Sequence, residues 1–149
     1  MGTLLNGRGV SFERCFDELN RTQPAVVAEV HREYIEAGAR VIQTNTFGAN
    51  RYKLSAYGLE DQVGEINRAG VELARRVVMA SYKDIFVAGD VGPLGVRLAP
   101  FGRVQPEQAH LLQPVAPNFG QHAEVVHGAG YNAEGFSVQQ ELVARNGQS

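Results

Sequence analysis

The sequence predicts an α/β fold in which parallel strands alternate with helices. Two short runs rich in β-branched and other apolar residues, at 39–47 and 84–90, each end in a turn of glycine or small polar residues. Longer segments with apolar residues at helical spacing lie before and between them, at 24–37 and 60–81. Because this order requires crossover connections, the two strands should be parallel and adjacent, with both helices on one face of the sheet.

The first helix is predicted from the segment "PAVVAEVHREYIEAGA", which begins at Pro24. Thr22 precedes it as a candidate N-cap, and Gly38 follows it as a stop signal. His31 lies within the segment and is interpreted as a half-exposed structural residue rather than a ligand or a base. The apolar side of this amphipathic helix is predicted to consist of Val27, Val30, Tyr34, Ile35 and Ala37.

The segments "ARVIQTNTF" and "LEDQVGEINRAGVELARRVVMASY" predict the first strand and the second helix. The adjacent Arg75 and Arg76 are interpreted as part of the solvated face of this helix. Its apolar side is predicted to consist of Val63, Ile66, Val71, Leu73, Val77 and Val78. A further strand, from Ile85 to Ala88, comes after this helix and ends in the turn of "DIFVAGDVGPLG".

Three small hydrogen-bonding residues, Thr44, Asn45 and Thr46, stand where the first strand ends. In parallel α/β folds, the loops at the carboxyl ends of the strands build the binding site. Hydroxyl and amide groups both donate and accept hydrogen bonds, and these side chains are small enough to admit a ligand. The sequence leaves open an alternative, in which they cap the following turn or satisfy the backbone of the loop.

The second strand end, "GDVGPLGVRLAPFGR", is rich in glycine. Gly89, Gly92 and Gly95 permit the backbone to lie close to a ligand or to a neighbouring loop. Their spacing differs from that of the dinucleotide motif and of the P-loop, which disfavours phosphate binding. Asp90 is a candidate base, although an Asp at a strand end more often caps a helix or anchors a loop.

The composition excludes several classes of protein. The 149 residues carry a formal net charge of −2, which provides no field to gather nucleic acid or an anionic membrane surface. No apolar stretch approaches the roughly 20 residues of a bilayer span, and no signal peptide is evident, so a cytoplasmic location is expected. Cys15 is the only cysteine and is interpreted as a packed residue. It cannot alone form a disulfide or a thiolate zinc cage.

The run "CFDELNRTQPAVVAEVHREYIEAGARVIQTNTFGANRYKL" resembles the homocysteine S-methyltransferase domain. The segments "YGLEDQVGEINRAGVELAR" and "VAGDVGPLGVRLAPFGRVQPEQA" are similar to the next segments of this family, especially in bacterial bifunctional proteins that also contain a methylenetetrahydrofolate reductase. The resemblance is clear to about residue 110, and 111–149 form a divergent tail. It implies that residues 1–149 form a partial (β/α)8 TIM barrel, about the first three to four β/α units.

The resemblance also implies an activity and a substrate site. Family members transfer a methyl group to homocysteine and form methionine, using a zinc ion held by three Cys thiolates that lowers the pKa of the homocysteine thiol. By the same resemblance, Thr44, Asn45 and Thr46 help to hold the zwitterionic head of homocysteine. Gly2 joins them as a substrate-binding residue, because Met1, Gly2 and Thr3 match the end of the family pattern Asp-Gly-Ala-Met-Gly-Thr.

Several family features are missing from this chain. The substrate-binding Asp of that pattern and the strand before it are absent, as are the Cys motifs that bind zinc. Glu134 and Glu141 are not persuasive counterparts of the family's substrate-binding Glu. The helical pattern that begins at Pro106 is interrupted by Pro114 and Pro117. No metal ligand can therefore be assigned here.

Three interpretations are compatible with this incomplete match. The first is an amino-terminal fragment of a homocysteine S-methyltransferase that is inactive alone. The second is a noncatalytic half-barrel that pairs with the remainder of a barrel or with a copy of itself, because an open barrel exposes sheet edges and apolar interior. The third is a small flavodoxin-like binding domain, which would require a complete first strand that the sequence lacks.

Overall fold

The computed structural model describes residues 1–97, 99–105 and 123–127. Its three strands form one parallel sheet in the order β1-β2-β3. In chain order, the elements are α1 (Gly2–Gly7), α2 (Leu19–Thr22), α3 (Pro24–Glu36), β1 (Val41–Gln43), α4 (Arg51–Ser55), α5 (Val63–Ser81), β2 (Phe86–Val91) and β3 (Ala123–His127).

The pairing of β1 with β2 confirms the predicted parallel neighbours. Val41 lies beside Phe86 in the register, and Gln43 lies beside Ala88. The strand β1 is shorter than the predicted run at 39–47, although the N–H of Thr44 continues the ladder by donating to the carbonyl oxygen of Ala88 over 2.9 Å. The third strand, β3, pairs with β2 at residues where the sequence analysis placed no particular strand.

Helices α3 and α5 pack against each other and against the β1–β2 sheet, as predicted. Ile42 and Val87 are partners in the register and both are buried beneath these helices. The two helices therefore cover one face of the sheet. The main core cluster consists of Leu5, Val10, Leu19, Val27, Ala28, Val30, Ile35, Ile42, Leu73, Ala74, Val77, Ile85 and Val87.

The start of α3 differs from the sequence prediction. Thr22 is the last residue of the short helix α2, and its hydroxyl donates back to the carbonyl oxygen of Glu18, so Thr22 does not cap α3. Gln23 occupies the N-cap position instead, without a capping side-chain hydrogen bond. Pro24 follows at the first helical position, where the missing N–H of proline carries no penalty.

The end of α3 confirms Gly38 as the stop signal. Gly38 has a φ of 97°, in the left-handed region that favours glycine. Its N–H donates to the carbonyl oxygen of Ile35, and the N–H of Ala39 donates to that of Tyr34. These two bonds form a Schellman motif, which satisfies carbonyl groups that the helix end would otherwise leave unpaired.

The buried side of α3 is shifted from the predicted one. Tyr34 is 41% exposed and Ala37 is also exposed, whereas Ala28 and His31 are buried. His31, which was interpreted as half-exposed, is only 1% exposed, on a helix that contacts α1, α2 and α5. Within the described residues its Nε2 has no hydrogen-bond partner. Burial, with a smaller effect of the positive amino terminus, lowers the pKa of His31 to about 4.

Helix α5 follows its predicted pattern closely. Arg75 and Arg76 are exposed, as expected for a solvated face, while Val71 and Val78 are only partly buried. No helix in the described part of the chain has the length and hydropathy needed to cross a bilayer. The features predicted at Pro106, Pro114, Pro117, Glu134 and Glu141 lie outside the described residues.

Candidate functional site

A cavity lies at the carboxyl ends of β1 and β2. Its volume is about 630 Å³. The residues predicted to bind substrate, Gly2, Thr44, Asn45 and Thr46, all line its wall. Asp90, the candidate base at the end of the second strand, lines the same cavity. The parallel pairing of the strands explains why segments far apart in the sequence meet at this edge.

The two threonine hydroxyls lock the end of β1 onto β2. The N–H of Asp90 donates to Thr44 Oγ1 over 2.9 Å, and Thr46 Oγ1 donates to the carbonyl oxygen of Asp90 over 2.7 Å. The two hydroxyl oxygens are 2.7 Å apart, and Thr44 is the donor between them because the hydrogen of Thr46 points to Asp90. Side chains thus continue the sheet beyond its last backbone pair.

Asn45 forms an amide clasp with Asn20. Its Nδ2 donates to the carbonyl oxygen of Phe16 over 2.7 Å and to Asn20 Oδ1 over 3.2 Å. Asn20 Nδ2 donates in return to the backbone oxygen of Asn45 over 2.7 Å. Both hydrogens of the Asn45 amide therefore form hydrogen bonds within the protein. None of these bonds uses Asn45 Oδ1, so this oxygen is the atom that can accept a hydrogen bond from a ligand.

The clasp is packed tightly against α5. Asn20 and Asn45 are both buried, and a Cβ atom on Gly70 of α5 would lie 2.7 Å from Asn20 Nδ2. The same atom would lie 2.7 Å from Thr46 Cγ2, so only glycine fits at this helix position without displacing the strand end. Of the two roles that the sequence left open, the structure displays the structural one directly. Substrate binding by these residues stays a prediction.

Asp17 is a residue of the cavity wall that the sequence did not single out. Its Oδ1 accepts a hydrogen bond of 2.9 Å from the N–H of Gly48, in the turn after β1. Burial raises the pKa of the Asp17 carboxyl to about 6, against the opposing effects of the Gly48 hydrogen bond and Lys53. The two partners are 31 positions apart, and no local pattern links them. The sequence signal was an acidic residue within the run, beginning at Cys15, that carries the family resemblance.

Asp90 adds a second carboxyl group to the cavity. Its backbone anchors the threonines, which confirms a role in holding the strand end. Burial also raises the pKa of its carboxyl above the ordinary value, while the amino terminus and Lys53 oppose this change. The cavity wall therefore holds two acidic groups that would be stabilised by a cation.

Lys53 provides a positive charge on the same wall. Its Nζ lies 4.6 Å from the centre of the Phe47 ring, within the range of a cation–π interaction. Asn50 fixes the start of α4, because its Oδ1 accepts from the N–H of Lys53 over 3.0 Å. Together with Asp17 and Asp90, Lys53 gives the cavity charges of both signs, which complement a zwitterion such as an amino acid.

The residues do not fit a zinc site. Among the described residues there is no group of three or more His, Cys, Asp or Glu side chains that could hold a metal ion. The single cysteine, Cys15, is buried, and burial raises the pKa of its thiol, which opposes the thiolate form that binds zinc. The backbone hydrogen bonds near Cys15 act in the opposite direction but are weaker.

We therefore expect the isolated chain to contain no stoichiometric zinc at neutral pH. Zinc affinity depends on the number of thiolates, and one buried thiol is too few. Elemental analysis after dialysis against zinc-free buffer measures this directly. One zinc ion retained per chain would contradict the expectation.

A family model described as homocysteine S-methyltransferase matches residues 1–134. The match extends past residue 110, where the clear resemblance of the motifs ends. Methionine synthase of Mycobacterium tuberculosis is 37% identical over 106 residues, which cover 69% of this chain and 9% of that protein. Methionine synthase of Mycobacterium leprae is also 37% identical, over 69% of this chain and 8% of that protein.

Two solved structures of the homocysteine methyltransferase MmuM from Escherichia coli resemble the fold. One is an oxidized form and the other a metallated form. Each has 31% sequence identity and a TM-score of 0.58, covering 64% of this chain and 36% of that protein. The chain thus spans about a third of the length of this neighbour and less than a tenth of the methionine synthases.

Proposed function

The chain belongs to the homocysteine S-methyltransferase family, and from this we propose that it supplies the homocysteine-binding wall of an enzyme that methylates homocysteine to methionine. The observation that supports this most strongly is the convergence of Gly2, Thr44, Asn45 and Thr46 on one cavity at the carboxyl ends of parallel strands. A site in this place agrees with the general position of ligand sites in parallel α/β folds.

In this proposal, the chain binds and orients the substrate. Homocysteine carries an ammonium group, a carboxylate and a thiol. The acidic groups of Asp17 and Asp90 attract the ammonium group, and Lys53 attracts the carboxylate. Asn45 Oδ1 offers an acceptor, while the hydrogen bonds of the threonines to Asp90 hold this acceptor in place relative to β2. A rigid wall of this kind lowers the entropic cost of binding.

For the methyl transfer itself, the part of the chain that the structure describes offers no metal site. Zinc, which the family resemblance implies for the complete enzyme, does not fit the described residues, and Cys15 is the only cysteine of the sequence. We therefore assign zinc binding to residues outside the chain and propose that the chain alone is catalytically inactive. Its contribution is one wall of the substrate site, with the charged and hydrogen-bonding side chains that line it.

We further propose that residues 1–149 form the first three to four β/α units of a (β/α)8 barrel, with 111–149 as a divergent tail, in a cytoplasmic enzyme. The parallel order β1-β2-β3 and the helices α3 and α5 on one face support this assignment. In a barrel of this type, the helices form the outer layer and the other face of the sheet points inwards.

A second candidate function is a noncatalytic half-barrel that acts in assembly. It is favoured by apolar exposure on the face away from the helices, where the register partners Val41 and Phe86 are 52% and 39% exposed. Sedimentation equilibrium, together with a homocysteine binding measurement, distinguishes the assembly function from the substrate-binding function. A stable dimer with no affinity for homocysteine would favour the assembly function, and a homocysteine-binding monomer would favour the substrate wall.

Isothermal titration with L-homocysteine tests the proposed function. Saturable binding at one site per chain is expected, and it should weaken at least about tenfold in Ala56→Trp, because Ala56 lines the cavity and an indole would fill part of it. The matched control is Ala80→Trp, an exposed position on α5 that does not line the cavity. Absence of saturable binding, or equal binding by both variants, would contradict the proposal.

A further inference from the structure

Asn67 is a buried amide in the second turn of α5 and does not line the cavity. Its residue exposure is 7%. Asparagine is a poor helix former, because its side chain competes for backbone groups. Here Nδ2 makes two hydrogen bonds of 2.8 Å, one to the carbonyl oxygen of Val63 within α5 and one to that of Ala49. The helix therefore presents a hydrogen-bond donor to the segment that follows β1.

Ala49 ends the turn that carries two residues of the cavity wall. Its N–H donates to the carbonyl oxygen of Thr46 over 3.0 Å, and Phe47 and Gly48 between them line the cavity. Ala49 is fully buried, and within the described ranges its carbonyl oxygen accepts a hydrogen bond only from Asn67. Because a buried carbonyl without a partner is costly, the position of this turn depends on the donor from α5.

Gly70 allows α5 to approach the same turn closely. It follows Asn67 by three positions, so the two residues lie on the same side of the helix. A Cβ atom on Gly70 would lie 2.7 Å from both Asn20 Nδ2 and Thr46 Cγ2. Gly70 thus leaves the space for this contact, and Asn67 makes the hydrogen bond that holds the turn against the helix.

We propose that Asn67 is a positioning residue for homocysteine binding, which acts by holding the Ala49 carbonyl and does not touch the ligand. The inference rests on the proposed function of the cavity and extends it to the layer of helices behind the sheet. Phe47 and Gly48 are the wall residues that this bond keeps in place. Gly48 is the sensitive one, because its N–H donates to Asp17 over 2.9 Å. A wall held in its binding geometry loses less entropy when the ligand binds.

The test uses two substitutions of Asn67 and one control. The hydroxyl group introduced by Asn67→Ser can donate to the carbonyl oxygen of Val63, four positions earlier in the helix, but it is too short to reach Ala49. Asn67→Leu removes both bonds. Val77→Ala is the matched control, because Val77 is a buried core residue of the same helix. Its truncation should lower the melting temperature while leaving the turn intact.

Isothermal titration with L-homocysteine at pH 7.5 and amide hydrogen exchange are the two measurements. Both Asn67 variants should bind homocysteine at least about tenfold more weakly than the unmodified chain, whereas Val77→Ala should bind within about twofold of it. The N–H of Gly48 should exchange at least about tenfold faster in the Asn67 variants than in Val77→Ala, because its bond to Asp17 loosens. The N–H of Thr44, which belongs to the β1–β2 ladder, should exchange at similar rates in all three variants.

The outcomes distinguish this inference from the function on which it rests. If the unmodified chain does not bind homocysteine, both fail. If it binds, and the Asn67 variants either bind as well as Val77→Ala or bind weakly with unchanged exchange at Gly48, Asn67 does not position the site and the proposed function stands. Should neither Asn67 variant fold, the unmodified chain decides. Its Asn67 side-chain amide signals should shift during the titration with the same dissociation constant as the Gly48 signal, and signals that stay in place overturn the inference.

Discussion

Replacing Asn45 by leucine is expected to lower the free energy of unfolding by about 3 kcal/mol. The substitution removes the Nδ2 donor that serves the carbonyl oxygen of Phe16 at 2.7 Å and Asn20 Oδ1 at 3.2 Å. Both acceptors lie in a tightly packed region, and a buried acceptor left without a partner costs about 1 to 3 kcal/mol. Urea unfolding followed by circular dichroism measures this change.

Asn6→Leu is the matched control for this substitution. Asn6 is a partly buried amide whose Nδ2 makes a single hydrogen bond of 2.9 Å to the carbonyl oxygen of Val10. Its loss should cost about 1 kcal/mol. If Asn45→Leu were as stable as the unmodified chain while its homocysteine affinity fell about tenfold or more, the amide clasp would be unimportant for stability and Asn45 would act only in the binding site.

The second large expected effect is a loss of folding stability at low pH, which we attribute to His31. The folded chain holds this residue buried and neutral, with its pKa lowered from the ordinary 6.5 to about 4. The unfolded chain takes up a proton near pH 6.5, while the folded chain resists it until about pH 4. The contribution of neutral His31 to stability is therefore fully present above pH 6.5 and is lost as the pH falls towards 4, by about 3 kcal/mol.

His31→Leu isolates this effect from that of Asp17, which has the opposite sign. The pKa of Asp17 is raised from 3.8 to about 6, so its charge increasingly destabilises the fold as the pH rises across that range. The difference in unfolding free energy between His31→Leu and the unmodified chain should shift in favour of the variant as the pH is lowered from 7 to 4. A difference that does not change with pH would show that His31 is not held neutral.

Local patterns in the sequence predicted the features that depend on local chemistry. Gly38 ends α3 because a left-handed residue is needed there, and the two parallel strands follow from the alternation of strand and helix patterns. The polar residues after β1 could be placed at a strand end for the same reason. Their convergence with Gly2 on one cavity follows from the family resemblance and the structure together.

Features that depend on contacts between distant segments could not be predicted. His31 was expected to be half-exposed, but it is buried on a helix that α1, α2 and α5 all contact. Asp17 and Gly48 form a hydrogen bond although they are 31 positions apart in the sequence. The two residues of the amide clasp, Asn20 and Asn45, are 25 positions apart. Hydrophobic periodicity indicates which face of a helix is buried, but it carries no information on which polar side chains meet.

Amide chemical-shift mapping of the isotopically labelled chain during titration with L-homocysteine tests the central claim most directly. If the cavity at the ends of β1 and β2 is the homocysteine site, the amide signals of Thr44, Gly48 and Asp90 should shift together and saturate with one dissociation constant. Signals of Gly38 and Arg75, which do not line the cavity, should stay in place. Saturable shifts centred on the exposed face of α5, or no saturable shifts at all, would contradict the account.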